Sequence, residues 1–525
     1  MQLSVGKIAH YCDAQIVNAP ADLEKQACGI TWDSREVESG FVYVALPGER
    51  VDGHSFVESA CKSGAVAALI MQDLSEDVCV CARECGTALL RVDSTHDAFT
   101  KLAAGYRENL KGRVIGITGS TGKTTTKNLV RDVLSAHFSC VATKANQNNE
   151  LGVPRTLLNA NPDTEMIVVE MGMRGLGQIE QLCSFVKPDW GLITNVGESH
   201  IELLGSRENI ARAKAELIAS LPNEGGVAFL NAADDTTDFV WDVSGKAGST
   251  VTKVVFDGSG EPKEHPQDEA HARQAECSQQ VGQAQQTGCS QQAGHSQQRE
   301  PSRQAGPCVW AEEVTLDSEG YPSFVLCAAG FNTSSSNVDR MKCSLSLRGV
   351  HNASNACSAA AVGYAAGMNL EEIVAALEAS QPESGRQEIL HSDQGFIIIN
   401  DAYNANPDSM RASLSLLKAM QVEGRRFAVL GDMGELGTHA PAAHESVGRF
   451  AAHANIDFLI CVGELARLMG SAAQSAGLAS DRVYKVDTRE EALAFLREHC
   501  ASGDAVLVKA SHFMELDKLA KELLG

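Results

Sequence analysis

The residues best suited to chemistry are a run of glycine, hydroxyl and lysine residues, Gly116-Ile-Thr-Gly-Ser-Thr-Gly-Lys-Thr-Thr125. A β-branched stretch precedes the run and a helix-like stretch, residues 127–134, follows it, as in a phosphate-binding loop. Glycines let backbone N–H groups turn toward phosphate oxygens, and the N-terminus of a helix favours an anion. Lys123 would reach the β- and γ-phosphates of a nucleotide, and the Thr124 hydroxyl would bind Mg²⁺.

The glycine spacing of this loop departs from its common form. The position of the usual first glycine holds Ile117, and the nearest glycine, Gly116, lies one residue earlier. Gly119 and Gly122 are therefore the glycines expected to shape the loop. A glycine-rich turn with a solvated lysine is the alternative, and the flanking strand and helix disfavour it.

Length and charge limit the class of protein. A chain of 525 residues is too long for one hydrophobic core and suggests about three domains. A formal charge of −23 disfavours a nucleic-acid binder, which usually has a basic surface. It does not exclude a nucleotide enzyme, because a phosphate site needs only local positive charge.

The sequence also predicts where the protein works. No apolar run reaches the roughly 18 residues that would span a membrane, and the first ten residues have no signal-peptide core. We therefore expect a cytoplasmic protein without a membrane partner, whose 16 cysteines are free thiols. Cys79, Cys81 and Cys85 lie close together, but no second cluster completes a zinc spacing, so we interpret them as ordinary packing residues.

The order of strands and helices predicts an α/β fold of three domains. A small α/β domain covers residues 1–109, a central P-loop domain with a mostly parallel sheet covers 110–381, and a Rossmann-like domain covers 382–525. Central strands are predicted at residues 114–118, 166–171, 190–196 and 226–231, because these are nearly continuous apolar runs.

A glutamine-rich segment interrupts the central domain at residues 258–307. Gln-Gln pairs recur there with a six-residue period among Gly, Ser, Ala and Cys. A hexapeptide β-solenoid would need β-branched residues for its core, and the segment has almost none. We therefore predict a disordered insertion that takes no part in catalysis.

Other polar residues follow predicted central strands, where ligands gather in open α/β sheets. Glu170 ends one apolar strand and His200 lies just past another, while Lys214 lies on the helix after that. A carboxylate beside a phosphate loop suits an Mg²⁺ ion that bridges nucleotide phosphates. Taken singly, Glu170 could equally be a helix cap or ion-pair partner, and His200 a hydrogen-bonded loop residue.

Together these stretches resemble the Mur ligase family of ATP-dependent amide-forming enzymes, over essentially the whole chain except the glutamine-rich segment. The stretches that carry the resemblance, besides the phosphate loop, are Asn148-Asn-Glu-Leu-Gly-Val-Pro154, Gly349-Val-His-Asn-Ala-Ser-Asn355, Gly385-Arg386 and Asn400-Asp-Ala-Tyr-Asn-Ala-Asn-Pro407. The unusual glycine spacing is the family's own form of the loop. Residues 401–410 and 430–437 are most similar to the branch that adds D-alanyl-D-alanine, and the Asp-Asn-Pro-Arg signature of the diamino-acid branch is missing.

The resemblance implies a nucleotide and metal site shared between domains. The residues implied for ATP are Gly119, Ser120, Thr121, Gly122, Lys123, Thr124, Thr125, Asn355, Arg386 and Asp401. Those implied for magnesium, two ions in all, are Thr124, Glu170, His200 and Lys214. Lys214 would be a carbamate, which turns a cation into an anionic ligand, and Lys123, Lys214 and His200 would be the catalytic residues.

The resemblance also implies where the substrates bind. The residues implied for a uridine-diphosphate sugar are Ser34, Arg35, Asp52, Gly53 and His54, and those for a dipeptide are Asn404, Asn406, Asp432 and Glu435. From the residues alone, the first-domain group, together with Asp33, is more typical of turn formers and helix caps than of ligands.

The implied reaction joins a UDP-N-acetylmuramoyl-tripeptide to D-alanyl-D-alanine through an acyl phosphate, in a monomer that serves peptidoglycan synthesis. A ligase that adds the third amino acid is the nearest alternative. A folate polyglutamate ligase would share the core but would lack this kind of first domain. A P-loop nucleotide switch, from a different class, would not need nucleotide residues in a third domain.

Overall fold

Three large β-sheets follow one another along the chain, and helices cover them. The computed structural model describes residues 1–18, 22–48, 51–260, 306–331, 338–383 and 386–525. Each sheet lies within one of the three predicted domain ranges, so the α/β fold of three parts is confirmed, while the boundaries stay predictions. The helices are α1 (Val5–Tyr11), α2 (Val57–Lys62), α3 (Glu76–Cys85), α4 (Thr95–Arg107), α5 (Lys123–Ser135), α6 (Gly152–Asn159), α7 (Gln178–Val186), α8 (Ile201–Leu204), α9 (Arg207–Ala219), α10 (Thr237–Val243), α11 (His351–Ala365), α12 (Leu370–Ala379), α13 (Pro407–Ala419), α14 (Ala440–Ala451), α15 (Ala466–Ser475), α16 (Arg489–His499) and α17 (Leu516–Glu522).

The N-terminal sheet has a parallel centre. In spatial order its strands are β2 (Gln15–Ile16), β7 (Ala88–Arg91), β6 (Ala67–Ile70), β5 (Phe41–Val44) and β4 (Gly29–Thr31), and β2 alone is antiparallel to its neighbour. A separate pair joins β1 (Leu3–Ser4) to β3 (Gln26–Ala27). Short 3₁₀ helices, Ser34–Glu36 and Gly53–Phe56, come after β4 and β5 and carry the predicted first-domain residues.

The central sheet is parallel except for a hairpin edge. Its strands in spatial order are β16 (Asp339–Ser344), β15 (Pro322–Ala329), β14 (Cys308–Leu316), β13 (Thr252–Gly260), β12 (Val227–Asn231), β11 (Trp190–Ile193), β8 (Arg113–Thr118), β10 (Met166–Glu170) and β9 (Cys140–Ala142). Strands β8, β10 and β11 are buried along nearly their whole length, because helices cover both faces. The carboxyl ends of these three strands therefore meet at one edge.

The third sheet is also mostly parallel. Its strands in spatial order are β17 (Glu388–His391), β18 (Ile397–Asn400), β22 (Ala505–Lys509), β19 (Arg426–Gly431), β20 (Phe458–Val462) and β21 (Val483–Val486), and only β17 is antiparallel to its neighbour. Two 3₁₀ turns of this part lie near the central domain. Gly437–His439 packs against α8, and His512–Met514 contributes residues to the cleft between the domains.

Strand β11 is shorter than the sequence predicts. It ends at Ile193 rather than at residue 196, because the next residues leave the sheet to support the phosphate loop. The Asn195 carbonyl accepts from the Ser120 N–H at 3.0 Å, and the Asn195 side-chain oxygen accepts from the Thr121 N–H at 3.0 Å. Hydrogen bonding to the loop therefore replaces hydrogen bonding within the sheet.

The predicted insertion begins later than residue 258, so that boundary was wrong. Residues 258–260 belong to β13, where a Cβ on Gly258 would lie 2.2 Å from the Ser354 backbone on α11. This close crossing of strand and helix excludes any larger residue at position 258. Residues 261–305, which make up most of the segment predicted to be disordered, lie outside the described residues. Gly385 of the quoted motif lies outside them too.

Replacing residues 261–305 with a flexible glycine and serine linker of about 12 residues is expected to preserve turnover, since β13 and β14 are parallel and need a crossover of that length. Loop-closure entropy varies slowly with length, so the free energy of unfolding should rise by only about 1 kcal/mol. Steady-state phosphate release and chemical denaturation measure these two quantities. Deleting all of 258–307 is the contrasting control, because it also removes the Gly258 contact. Loss of turnover in the linker variant would contradict the prediction.

The described part of the chain contains no helix that is both long enough and apolar enough to cross a membrane.

Candidate active site

The two glycines predicted to shape the loop are required by its geometry. Gly119 has φ +153°, and a Cβ there would lie 1.8 Å from Thr194 Oγ1. Gly122 has φ +76°, and a Cβ there would lie 2.7 Å from Asn355 Oδ1. Gly116 lies within β8, where its missing side chain makes room for Leu217 of α9, so this glycine serves packing rather than the loop.

Lys123 is the first residue of α5, where the dipole of the helix favours bound anions. Its Nζ donates to the Gly119 carbonyl at 2.8 Å and approaches the Ser120 carbonyl at 3.4 Å. Burial lowers the pKa of the ammonium, and the charge of Arg386 lowers it further, while Glu170 opposes the shift. A bound anion would favour the charged form and could replace the two carbonyl contacts.

Glu170 is fully buried at the end of β10. Its Oε1 accepts from Asn148 Nδ2 at 2.8 Å and from Thr124 Oγ1 at 3.2 Å. Its Oε2 is buried and has no hydrogen-bond partner in the described structure. A buried carboxylate oxygen without a partner is costly, so this atom fits a cation ligand beside the Thr124 hydroxyl.

The third sheet brings a cation to the same hydroxyl. The Arg386 guanidinium donates to Thr124 Oγ1 at 2.9 Å, and it lies 4.6 Å from the centre of the Tyr403 ring. Asp401 Oδ2 accepts from Ser413 Oγ at 2.5 Å and from Lys509 Nζ at 2.6 Å. The C-terminal part therefore contacts the phosphate loop directly and presents a well-held carboxylate to the cleft.

His200 and Glu435, predicted for the metal and the dipeptide, contact each other. His200 Nδ1 lies 2.5 Å from Glu435 Oε2, a close contact between the ring and the carboxylate. The His200 contact holds the pKa of the Glu435 carboxyl below its usual value, and Arg174 contributes. Both residues have positive φ, +65° and +60°. Nearby, Asn406 Nδ2 donates to Ser199 Oγ at 2.6 Å, so this edge joins the two domains.

Lys214 is 1% exposed on α9 and forms no ion pair with any described carboxylate. Burial and the charge of Lys123 hold the pKa of its amine well below the usual value, and the more weakly acting Asp234 opposes them. The lowered pKa increases the share of the neutral amine. A neutral, buried amine is the species that can take up carbon dioxide.

A cleft of about 1560 Å³ collects most of the predicted residues at the junction of the three parts. The predicted residues that line it are Ser120, Thr121, Gly122, Lys123, Thr124, Thr125, Glu170, His200, Asn355, Arg386, Asp401, Asn404, Asn406 and Glu435. Gly119 and Lys214 lie behind this lining, each in contact or charge interaction with it. The cleft is large enough for a nucleotide and a second substrate.

The predicted first-domain residues do not line the cleft. The Asp52 carboxylate caps the 3₁₀ helix Gly53–Phe56 and accepts from His54 Nδ1 at 2.6 Å. His54 Nε2 accepts from the Met71 N–H at 3.0 Å, which places the ring proton on Nδ1. The Gly53 carbonyl accepts a hydrogen bond from the Tyr43 hydroxyl at 2.9 Å. These contacts correspond to the turn and cap roles that the residues alone predict.

Ser34 and Arg35 also lie outside the cleft, on the exposed 3₁₀ turn that Asp33 caps. The Arg35 side chain is 87% exposed and pairs with Asp33 at 2.6 Å. Trp32, two residues earlier, does line the cleft, under the Arg155 guanidinium at 4.9 Å. The first domain thus contacts the cleft through an aromatic residue that sequence reasoning missed.

Asp432 does not reach the cleft. Its carboxylate accepts from the Ala466 N–H at 2.6 Å, at the start of α15. The same carboxylate lies against Gly463, where a Cβ would lie 2.8 Å from it. The structure therefore gives Asp432 a capping contact within the C-terminal part.

Sequence reasoning missed two buried lysines beside the site. Lys509, 2% exposed, ends the apolar strand β22 and pairs with Asp401. Lys127, 1% exposed, lies one helical turn after Lys123 and donates to the Ala145 carbonyl at 2.8 Å. The sequence contained a signal for each of them. Lys509 ends an apolar run, and Lys127 follows Lys123 of the phosphate loop by four residues, which is one helical turn.

Comparisons with known proteins show the family of this chain. Family models match three stretches, namely the Mur ligase family catalytic domain at residues 27–107, the Mur ligase middle domain at 117–363 and the Mur ligase glutamate ligase domain at 385–512. The UDP-N-acetylmuramoyl-tripeptide–D-alanyl-D-alanine ligase of Bacillus subtilis is 32% identical over 94% of this chain and 93% of its own. The enzyme of that name from Mycobacterium tuberculosis is 32% identical over 100% of this chain and 98% of its own.

Solved structures show the same likeness. MurF from Acinetobacter baumannii superposes with a TM-score of 0.75 and 27% identity, over 100% of this chain and 99% of that one. MurF ligase from Thermotoga maritima, solved in complex with ADP, has a TM-score of 0.67 and 24% identity, over 94% and 96% of the two chains, which shows a shared fold.

Proposed function

The chain belongs to the Mur ligase family of ATP-dependent ligases, and from this premise we propose that it joins D-alanyl-D-alanine to UDP-N-acetylmuramoyl-tripeptide. The choice of substrates is supported by whole-length relatives that bear the name of this reaction. The observation that carries the mechanism is the cleft in which Lys123 and the unpartnered Glu170 oxygen lie beside Arg386. The product would serve peptidoglycan synthesis, and through it cell-wall biogenesis, cell shape and cell division.

The chemistry requires activation of a carboxylate. The terminal carboxylate of the tripeptide attacks the γ-phosphorus of ATP, which forms an acyl phosphate and releases ADP. The amine of the dipeptide then attacks the acyl carbon, loses a proton, and the tetrahedral intermediate expels phosphate. Two anions meet in the first step, so the Lys123 ammonium and the N–H groups of residues 119–125 would stabilise the charge that develops there.

The residues present fit a magnesium ion, judged by the buried Glu170 oxygen that lacks a partner. Thr124 and Glu170 would hold one ion, and His200 with Lys214 as a carbamate would serve a second. Magnesium supplies positive charge that neutralises the phosphate oxygens. Because His200 Nδ1 faces Glu435, Nε2 would be the nitrogen that serves the ion.

The C-terminal part would hold the nucleotide from the side opposite the phosphate loop. Arg386 already reaches Thr124, and Asp401 lines the cleft while its Oδ2 is held by Ser413 and Lys509. Asn355 lies behind Gly122 and would support the loop from the central domain. Enclosure between the domains would exclude water, which would otherwise hydrolyse the acyl phosphate.

Arg386→Ala is expected to raise the KM for ATP by about 10- to 100-fold, the usual effect of losing one charged hydrogen bond. The guanidinium links the C-terminal part to the phosphate loop, so the nucleotide should lose one wall of its site. Initial rates against ATP concentration measure the change. Arg449→Ala, which removes an exposed arginine paired with Glu445, is the control. An unchanged KM for ATP would remove Arg386 from the nucleotide site.

The other substrates have separate regions of the cleft. We place the UDP-sugar toward the first domain, where Trp32 lines the cleft. The residues that would contact it beyond the lining of the cleft are Ser34, Arg35, Asp52, Gly53 and His54. The dipeptide would lie near Asn404, Asn406 and Glu435. We further propose that the enzyme is a monomer and that the reaction takes place in the cytoplasm, where ATP is available.

The test is the substrate dependence of phosphate release. Release is expected only when ATP, UDP-N-acetylmuramoyl-tripeptide and D-alanyl-D-alanine are all present. Release with L-lysine or diaminopimelate and the UDP-dipeptide would instead identify a ligase that adds the third residue. Hydrolysis of ATP at the full rate without either partner would indicate a nucleotide switch.

A further inference from the structure

Lys127 is a buried cation that the proposed mechanism does not use. It lies on α5, one turn after Lys123, with 1% of its surface exposed. Its Nζ donates to the Ala145 carbonyl at 2.8 Å. Burial lowers the pKa of this ammonium, while the nearby charges of Glu170 and Glu383 raise it. Burying a lysine is costly, so a specific role must offset the cost.

The carbonyl that Lys127 holds belongs to a strained loop at residues 143–149. Ala145 has φ +49°, a left-handed conformation that is unfavourable for a residue with a Cβ. Such a conformation persists only where surrounding contacts impose it. The Lys127 hydrogen bond is a contact of that kind, because it fixes the peptide group that follows the strained residue.

Three residues later the same loop fixes the proposed metal carboxylate. Asn148 Nδ2 donates to Glu170 Oε1 at 2.8 Å. The Asn148 carbonyl accepts from the Gly172 N–H at 2.8 Å, and a Cβ on Gly172 would lie 2.8 Å from Asn148 Oδ1. The amide is therefore held tightly against the end of β10, and it occupies Oε1 so that Oε2 stays free.

We propose that Lys127 is a positioning residue that holds loop 143–149 in the shape in which Asn148 orients Glu170, and that it thereby sets the affinity of the site for a divalent cation. The inference rests on the proposed function for the cation site itself. Lys127 is not among the residues that line the cleft; it acts through Ala145, Asn148 and Glu170 in turn.

A lysine that serves only folding would have a different signature. Its removal would lower stability without changing metal affinity at temperatures where the protein stays folded. A positioning role predicts weaker cation binding by folded protein, since partners that orient ligands typically affect metal affinity by about 10- to 100-fold.

The experiment measures binding of Mn²⁺ to the ADP complex of the full chain, from the loss of the electron paramagnetic resonance signal of free Mn²⁺. Lys127→Met is expected to weaken binding about tenfold, and Asn148→Ala by a similar factor. The double variant should bind no more weakly than Asn148→Ala alone, because the two residues act in one chain of contacts. Lys144→Met, which removes an exposed lysine from the same loop, is the matched control and should bind as the wild type does.

Three outcomes decide the matter. Binding within about twofold of the wild type in folded Lys127→Met, or a double variant whose losses multiply, would overturn the positioning role. If Lys127→Met does not fold, Lys127→Gln gives the same readout, because its polar head is uncharged and one bond closer to the backbone than the ammonium that donates to Ala145. Glu170→Gln tests the metal site separately from the positioning role of Lys127. Wild-type Mn²⁺ binding in that variant would refute the proposed metal site itself.

Discussion

Lys123→Ala is expected to lower the rate of acyl-phosphate formation by at least ~10³-fold, at the upper end of the effect of removing one group that stabilises developing charge. The side chain begins α5, lines the cleft, and makes two contacts to carbonyls of its own loop that a γ-phosphate could replace. Without it, the tripeptide carboxylate and the γ-phosphate would meet with one positive charge fewer. Phosphate release with saturating ATP and both other substrates measures the loss.

Lys246→Ala is the matched control for this change. Lys246 also donates to a backbone carbonyl, that of Leu221 at 2.7 Å, but it lies outside the lining of the cleft. The two variants lose similar hydrogen bonds, so they should differ in activity far more than in thermal stability. Near-wild-type turnover in Lys123→Ala would refute the assignment of the phosphate loop.

Lys214→Ala is expected to lower turnover by about 100-fold or more, the upper part of the range for residues that tune a metal site. The amine is buried on α9, and burial with the charge of Lys123 keeps its pKa low. The neutral amine adds to carbon dioxide, a C–N bond forms, and one proton is released to give a carbamate. The alanine variant cannot form that anion, so short carboxylates such as acetate should restore part of the activity.

Arg212→Ala is the control for this second prediction. It removes a positive charge from the exposed face of the same helix, where Arg212 pairs with Glu208 at 2.8 Å. Thermal unfolding should show that Lys214→Ala is folded, because the wild-type amine forms no ion pair with a described residue that the variant would lose. Full activity in Lys214→Ala, with no response to acetate, would exclude the carbamate.

The local parts of the site could be predicted from sequence because their geometry depends on neighbours in the chain. The glycine spacing required positive φ at Gly119 and Gly122, and the position of Lys123 at the start of a helix follows from the same ten residues. The end of an apolar run placed Glu170 at a strand terminus. Asp52 could likewise be read as a cap, because its contacts with His54 lie within two residues.

Contacts between distant segments could not be predicted. Asn148 reaches Glu170 across 22 residues, Lys127 reaches Ala145 across 18, and Lys509 reaches Asp401 across 108. Hydrophobic periodicity indicates which residues are buried but not which polar groups meet once they are buried. The predicted substrate role of Asp432 shows the limit, since its carboxylate caps α15 instead of entering the cleft.

The sequence by itself determined the α/β class, the glycine-rich loop, the family and most of the predicted residues that line the cleft, because short-range spacing encodes each of them. Only the tertiary structure decided the purpose of Gly116, which makes room for Leu217, and the pairing of His200 with Glu435 across two domains. It alone showed that one oxygen of Glu170 is satisfied and the other is free. The physical reason is that satisfaction of a buried polar atom depends on packing, which brings together groups that are far apart in the chain.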